Sequence, residues 1–257
     1  MSPSGLVAVA AVFLEGSPVE PAGAVLIYSP AGELVQALRM NPTGPIAVEV
    51  DASDDIWALS SGPGNGIPPS RAPVLLEYDA NGTRIGSFFT FADFAPESKG
   101  INQGSNRGGD LSMGVAGGRI WFWLPQSEAF ADVGADGAGP EVVHTGLPPW
   151  PSSFPKSSLF ARTVVHGVAY LPSGRLLARV VFISGRSWLI GLYEYDLSAK
   201  RWTALPPLPS VSTRNWFVGV DNSDSVWMSS VTSTGNYKSI TMQLSWVPLP
   251  PALMGSQ

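Results

Sequence analysis

The chain has 257 residues, 44% of them hydrophobic and only 14% charged, with 28 Gly and 24 Pro. That much Gly and Pro disfavours long helices, while 9 Trp, 11 Phe and 6 Tyr argue for pleated, buried surfaces and against disorder. A net charge of −5 without a Lys/Arg cluster excludes a phosphate-tracking surface, so nucleic acid is not an expected partner; the absence of Cys excludes disulfides, thiolate metal sites and Cys nucleophiles.

The first element is the apolar run Leu6 to Leu14. No basic residue precedes it, Glu15 closes it, and it is too short to span a bilayer, so it reads as a strand and no membrane span is expected. It follows the turn Pro3-Ser4-Gly5, and the same form recurs down the chain: a short polar turn, an apolar residue, then a large aromatic or aliphatic one. The later copies are Ala52–Trp57, Ala116–Trp121, Pro172–Leu177 and Asn222–Trp227. Starts at 3, 52, 116, 172 and 222 have the spacing of propeller blades.

A second turn follows within the units, at Tyr28–Gly32, Tyr78–Gly82 and Tyr195–Ala199, with a weaker version at Val133–Gly137. Asn-Gly and Asp-Gly between apolar runs is the chemistry of a tight hairpin that needs positive φ. Each full unit therefore reads as strand A, first turn, strand B, variable loop, strand C, second turn, strand D. In the second unit these are Ile46–Asp51, Ile56–Ser60, Val74–Tyr78 and Arg84–Phe89; in the fourth, Val164–Leu171, Leu176–Ile183, Trp188–Tyr195 and Arg201–Leu205.

The predicted fold is all-β, a β-propeller of about five four-stranded blades in one domain over 1–257. The blades fall near 1–41, 42–95, 106–150, 160–209 and 213–257. The end blades are incomplete: the first starts at its A–B turn, and the fifth runs into Pro248, Pro250 and Pro251 after strand C. Two readings of the ends compete. Either incomplete end blades pack face to face, or the natural start lies upstream, which implies room for a signal peptide and an extracytoplasmic location.

The stretch Ile46–Phe89, with "IAVEVDASDDIWAL" followed by "VLLEYDANGTRIGSF", resembles the NHL-type blade of bacterial streptogramin-lyase-like and gluconolactonase-like propellers. "LYEYDLSAKRWTALPPLP" (192–209) is similar to a kelch blade, whose Gly-Gly doublet is present once, at Gly117-Gly118. These motifs are structural, so the resemblance implies a fold and carries no catalytic residue with it. It also implies a divalent cation in the channel, as gluconolactonase-like propellers hold. The residues give that little support: Met113, Ala169 and Gly219 are the equivalents of Glu49, so oxygen ligands do not converge at its level. No cofactor and no metal site are expected. His144 and His166 lack a metal spacing, and the Asp51, Asp54, Asp55 group has neither the Gly nor the closing Glu of a Ca²⁺ loop. Asp51, Asp221, Asp79 and Asp196 read as turn residues.

Function is expected at the channel mouth, where the D–A and B–C loops meet. Counting back six residues from each A–B turn puts Ile46, Asp110, His166 and Trp216 at one level, with Arg107, Arg162, Arg214 and Asn215 on or beside the D–A loops. Arg107, Asp110, Arg162, His166, Arg214, Asn215 and Trp216 are thus the candidate ligand-binding residues. Such a ring suits an anionic or sugar-like ligand, with Arg forks on carboxylate or phosphate and Trp216 as a stacking platform. The competing structural reading, which carries more weight, is that these groups satisfy loop carbonyls and neighbouring blades. Trp57, Trp121 and Trp227 share one strand-B position and read as core; Trp150, Trp202 and Trp216 are less regular and suit a surface. With no catalytic set identified, the expectation is a non-catalytic propeller binding a protein, peptide or carbohydrate at this mouth. The alternative is a lyase or lactonase-type enzyme with its site there.

Overall fold

The computed structural model describes residues 3–15, 20–40, 44–62, 67–94, 111–157, 159–171, 173–206, 215–220, 225–234 and 239–248; the side chains of 12–22 and of everything after 206 are not described. The described residues are all-β apart from one helical turn, and their strands form five antiparallel sheets of propeller-blade type. Blade 1 has β1 (Val7–Glu15), β2 (Glu20–Tyr28) and β3 (Leu34–Met40). Blade 2 has β4 (Pro45–Val50), β5 (Ile56–Ser60), β6 (Pro73–Tyr78) and β7 (Arg84–Thr90), followed by α1 (Phe91–Phe94). Blade 3 has β8 (Ser112–Ala116), β9 (Arg119–Leu124), β10 (Ala129–Gly134) and β11 (Glu141–His144). Blade 4 has β12 (Ala161–Leu171), β13 (Arg175–Ser184), β14 (Ser187–Asp196) and β15 (Arg201–Ala204). Blade 5 has β16 (Asn215–Val220), β17 (Ser225–Thr234) and β18 (Ser239–Pro248). Among the described residues the blades have three, four, four, four and three strands, the count that the turn spacing predicts.

Contacts divide the chain into two compact units, Met1–Asn106 with Met113–His144, and Arg107–Ser112 with Thr145–Gln257. In the first, β1 packs beside β4. Blades 1 and 2 share a core of Val25, Ile27, Leu38, Met40, Ile56, Ala58, Leu76 and Tyr78. The α1 turn is capped by Asp93, whose carboxylate accepts from the Thr90 N–H (2.6 Å) and hydroxyl (3.0 Å). It buries Phe94 against Phe89 and Phe122, three rings with centroids 5.6–5.9 Å apart. In the second unit β12 lies beside β16. No described helix is long and apolar enough to cross a membrane.

The A–B turns share one backbone feature. Their third residue is left-handed in four blades, at Gly5, Asp54, Gly118 and Gly174, with φ between 65° and 76°. Glycine occupies three of these because a Cβ is penalised there. Asp54 is the exception, and the Ser4 hydroxyl donates to its carboxylate at 2.8 Å.

The C–D turns are also alike. In those that begin at Ser29, Asp79 and Gly134, the first N–H donates to the fifth residue's carbonyl, and the fourth N–H, always glycine, donates back to the first carbonyl. Asp79 adds two bonds, accepting from Asn81 and Thr83 N–H groups, and Asp196 accepts from Ser198 and Ala199. These aspartates are turn residues, as their placement in the sequence predicts. The hydrogen bonds from Ser198 and Ala199 hold the Asp196 carboxyl below its ordinary pKa.

Asp51 plays the same part at the start of an A–B turn, but buried. It is 2% exposed and accepts from the N–H groups of Ser53 (2.7 Å) and Asp55 (3.1 Å) and from the Trp57 indole (2.9 Å). Trp57 and Trp121 are core residues, as predicted. Trp202 is a correction to the surface expectation: it is buried, and its indole N–H is shared by the Thr145 and Gly146 carbonyls, both at 3.1 Å. A loop that brings two carbonyls to one point supplies the polar partner that a buried indole needs. Trp227 lies in β17 opposite Gly219, its side chain outside the described residues.

Candidate functional site

Strand A of blade 4 carries two of the candidate residues. Between Val165 and Val168 the β12–β13 register shifts, so that His166 and Gly167 together face the single residue Arg179. Gly167 supplies the left-handed φ of 79° that a bulge of this kind needs. The bulge leaves His166 half-buried, and Arg162, four residues nearer the strand start, is exposed with its guanidinium carbon 5.6 Å from the centroid of the Phe160 ring.

Asn215 and Trp216 are the first residues of β16, the strand beside β12, so the backbone brings these four candidates onto neighbouring strands of one unit. The Asn215 and Trp216 side chains lie outside the described residues, as do Arg107, Asp110 and Arg214 altogether. Within their own blades, Glu49, Ala169 and Gly219 face Trp57, Leu177 and Trp227, Ile46 and His166 each lie in a bulge, and Trp216 is opposite Ser229.

The most exposed aromatic of the described residues was not among the candidates. Trp188 is 65% exposed at the start of β14, and it shares one cross-strand row with Ile183 and Arg162. Leu159 and Phe160, 95% and 48% exposed, stand beside this row. Their loop is fastened to the β13–β14 hairpin by two bonds, Ser157 N–H donating to the Ser184 hydroxyl (2.7 Å) and Gly185 N–H to the Phe160 carbonyl (2.9 Å), and within the loop Leu159 N–H donates to the Ser157 hydroxyl (3.2 Å). The hairpin itself turns in two residues, with Gly185 first and left-handed (φ 60°), the II′ arrangement that suits strand twist. This leaves an exposed apolar patch on a hydrogen-bonded frame. Sequence periodicity hides it, because Trp188–Tyr195 has the apolar character of a buried strand.

In the other unit the perturbed groups lie around Trp57. Glu49, Trp57, Glu77 and Gly86 form one row across the four strands of blade 2, so a carboxyl flanks the indole on each side. Desolvation pushes the Glu49 carboxyl up to about 7. Glu77, 8% exposed, is raised by desolvation and then by Asp55 and Asp51. Among the described residues no group of three His, Asp or Glu side chains is placed to hold a metal ion.

No family model matches the chain, and no curated protein matches it. Its strands superpose on several solved structures. One is a protein from Bacteroides fragilis described as exported, at 12% identity and a TM-score of 0.47, covering 86% of this chain and 65% of that one. Another is the periplasmic gluconolactonase PpgL of Pseudomonas aeruginosa, at 12% identity and a TM-score of 0.41, covering 95% and 70%. A third is the hydrazine synthase of Kuenenia stuttgartiensis, at 9% identity and a TM-score of 0.43, covering 89% and 58%. The chain spans less than two thirds of the first and third of these.

Proposed function

We propose that the protein is a non-catalytic binding module that engages a protein, peptide or carbohydrate at the exposed end of blade 4. The observation that carries this reading is Trp188, two thirds exposed in a regular strand and in one row with Arg162. Leaving an indole in water forgoes burial worth about 2 kcal/mol, so a fixed exposed Trp beside a guanidinium is suited to contact with another molecule. Arg162 packs its charge over Phe160, which keeps the fork near the surface for an anionic group. The test is a thermal-shift and fluorescence screen of sugars, organic acids and peptides against the wild type and Trp188→Ala. A ligand that shifts the wild type and fails to shift the variant supports the reading; ligands that shift both equally place binding elsewhere.

A second reading, a lyase or lactonase-type enzyme, is favoured by one observation. The Glu49 carboxyl, pushed up to about 7, has the proton affinity of a general acid or base working near neutrality. Lactone hydrolysis that disappears in Glu49→Gln while the fold persists is the outcome that selects it.

A further inference from the structure

Asn-Gly occurs twice in the sequence, at Asn65-Gly66, outside the described residues, and at Asn81-Gly82 in the C–D turn of blade 2. This dipeptide is prone to lose ammonia without an enzyme, because a glycine leaves its own backbone nitrogen unshielded for attack on the preceding side-chain amide. In the blade 2 turn the reacting groups have defined partners. Asn81 is exposed, so water reaches its amide. The Gly82 N–H, whose nitrogen is the nucleophile, donates to the Asp79 carbonyl at 2.8 Å, with Gly82 at a φ of 80°. The Asp79 carboxylate accepts from the Asn81 N–H at 3.0 Å and from the Thr83 N–H at 2.7 Å. Ring closure takes the proton from the Gly82 nitrogen and turns that nitrogen onto the Asn81 side chain, so the bond to Asp79 has to break first. A turn closed by these bonds holds the nucleophile away from its target.

The same turn is a joint between blades. The Gln36 side-chain amide, on β3 of blade 1, donates to the Asn81 carbonyl at 2.7 Å, and a Cβ on Gly82 would overlap the side chains of Gln36 and Leu38. The next junction is built alike. Gly137, the glycine of the blade 3 turn, lies against Phe88 of β7, which stands as far past Gly82 as Leu38 stands past Gly32. Charge in the turn also reaches its neighbours: Asp55 is raised by desolvation first and then by Asp51, Asp79 and Asp54.

We propose that Asn81 is a site of spontaneous deamidation, guarded by its own turn and coupled to the joint between blades 1 and 2. The Gly82 nitrogen forms a bond to Asn81 Cγ as the Cγ–Nδ2 bond breaks, and the proton lost by Gly82 leaves with the ammonia. Water then opens the succinimide at either carbonyl, giving aspartate or isoaspartate. Both products place a new negative charge beside Asp79, in a blade whose acids already repel one another. In isoaspartate the main chain runs through the former side chain and is one methylene longer. The carbonyl that accepted from Gln36 then becomes a free carboxylate, and the Gly82 N–H shifts from its place opposite Asp79. Deamidation therefore loosens the joint, and isoaspartate loosens it more than aspartate. This is a property of blade 2 and does not depend on what blade 4 binds.

The test incubates the full chain and a synthetic peptide of residues 77–85 at mildly alkaline pH. Peptide mass spectrometry locates the products and separates Asn81 from Asn65, and isoaspartyl methyltransferase labelling counts isoaspartate. Asn81 should convert at least tenfold more slowly in the full chain than in the peptide. Asp79→Ala, which removes the two carboxylate bonds of the turn, should close most of that gap; Gln36→Ala, which leaves the turn's own bonds in place, should close part of it and serves if the first variant fails to fold. Aged wild type should have a lower urea midpoint than fresh protein. Asn81→Asp should reproduce part of that loss, and Asn81→Gln should lose little on the same incubation. Conversion in the full chain as fast as in the peptide overturns the guard. No conversion at Asn81 in the wild type or either variant, once the peptide has reacted, overturns the site. An unchanged urea midpoint after Asn81 has converted overturns the coupling to the joint.

Discussion

Glu77 stands on the same cross-strand diagonal from Asp55 as Glu194 does from Arg175. In blade 4 that diagonal is an ion pair at 3.1 Å, and in blade 3 the equivalent Arg119 and Asp132 are joined by two bonds of 2.6 and 3.0 Å. Blade 2 keeps the carboxylate and replaces the arginine with an aspartate, and both acids are shifted upward, by desolvation first and then by neighbouring carboxylates. Asp55→Arg should restore the pair. With Asp55 itself half-exposed, the expected gain is modest, about 1 kcal/mol, read as a higher urea midpoint at neutral pH. Glu77→Gln in the same background should remove most of it.

The acids of blade 2 also give stability a pH dependence. A carboxyl whose folded pKa lies above its unfolded value binds its proton more tightly in the folded chain, so its contribution is complete below the unfolded pKa and is lost as pH rises through the folded one. For Glu49 that window runs from the ordinary Glu range to about 7. Stability should fall across it, with a slope of at most about 1.4 kcal/mol per pH unit for this one proton. Urea unfolding at a series of pH values should show the decline in the wild type and a flatter profile in Glu49→Gln.

Removing the Trp57 donor should be costly although the ring is conserved in kind. Trp57→Phe leaves Asp51 Oδ2, on a residue 2% exposed, without its indole partner, and an unsatisfied buried carboxylate oxygen costs about 2–3 kcal/mol. Asp51→Asn keeps Oδ1 for the turn N–H groups but turns an amide donor toward the buried indole N–H, so it breaks the same bond and should cost at least as much. Chemical denaturation of the two variants checks both losses.

Gly167→Ala tests the bulge in β12. An alanine at φ 79° costs about 1–2 kcal/mol, so the variant should unfold earlier, with faster amide exchange concentrated around Val165 and Val168. Regular amide protection there would mean that the bulge relaxes without strain.

The blade pattern was legible because its determinants are local. Gly at the left-handed turn positions, Asp at the Asx positions and a Trp two residues into strand B act within six residues of one another, and they locate the strands of blades 2 and 4 to within a few residues. The diagonal charges are equally visible in "DIW", "RIW" and "RLL", but only once the turn lengths align strand B against strand C. Trp188 was not legible. It opens a strand whose later residues are buried, and an apolar run reads the same in sequence whether or not its first residues are covered. Trp202 misled for the converse reason, since the Thr145 and Gly146 carbonyls that satisfy it are more than fifty residues off in sequence.

All five sheets pair only strands that follow one another in the chain. Every ladder therefore closes a short loop, and the entropy lost in forming a blade is small and recovered at once by its own hydrogen bonds. A growing chain can complete each sheet soon after its last strand emerges, without waiting for distant sequence. Folding speed should then be governed by the packing of finished blades on one another, and a blade edge still awaiting its neighbour is where aggregation would begin.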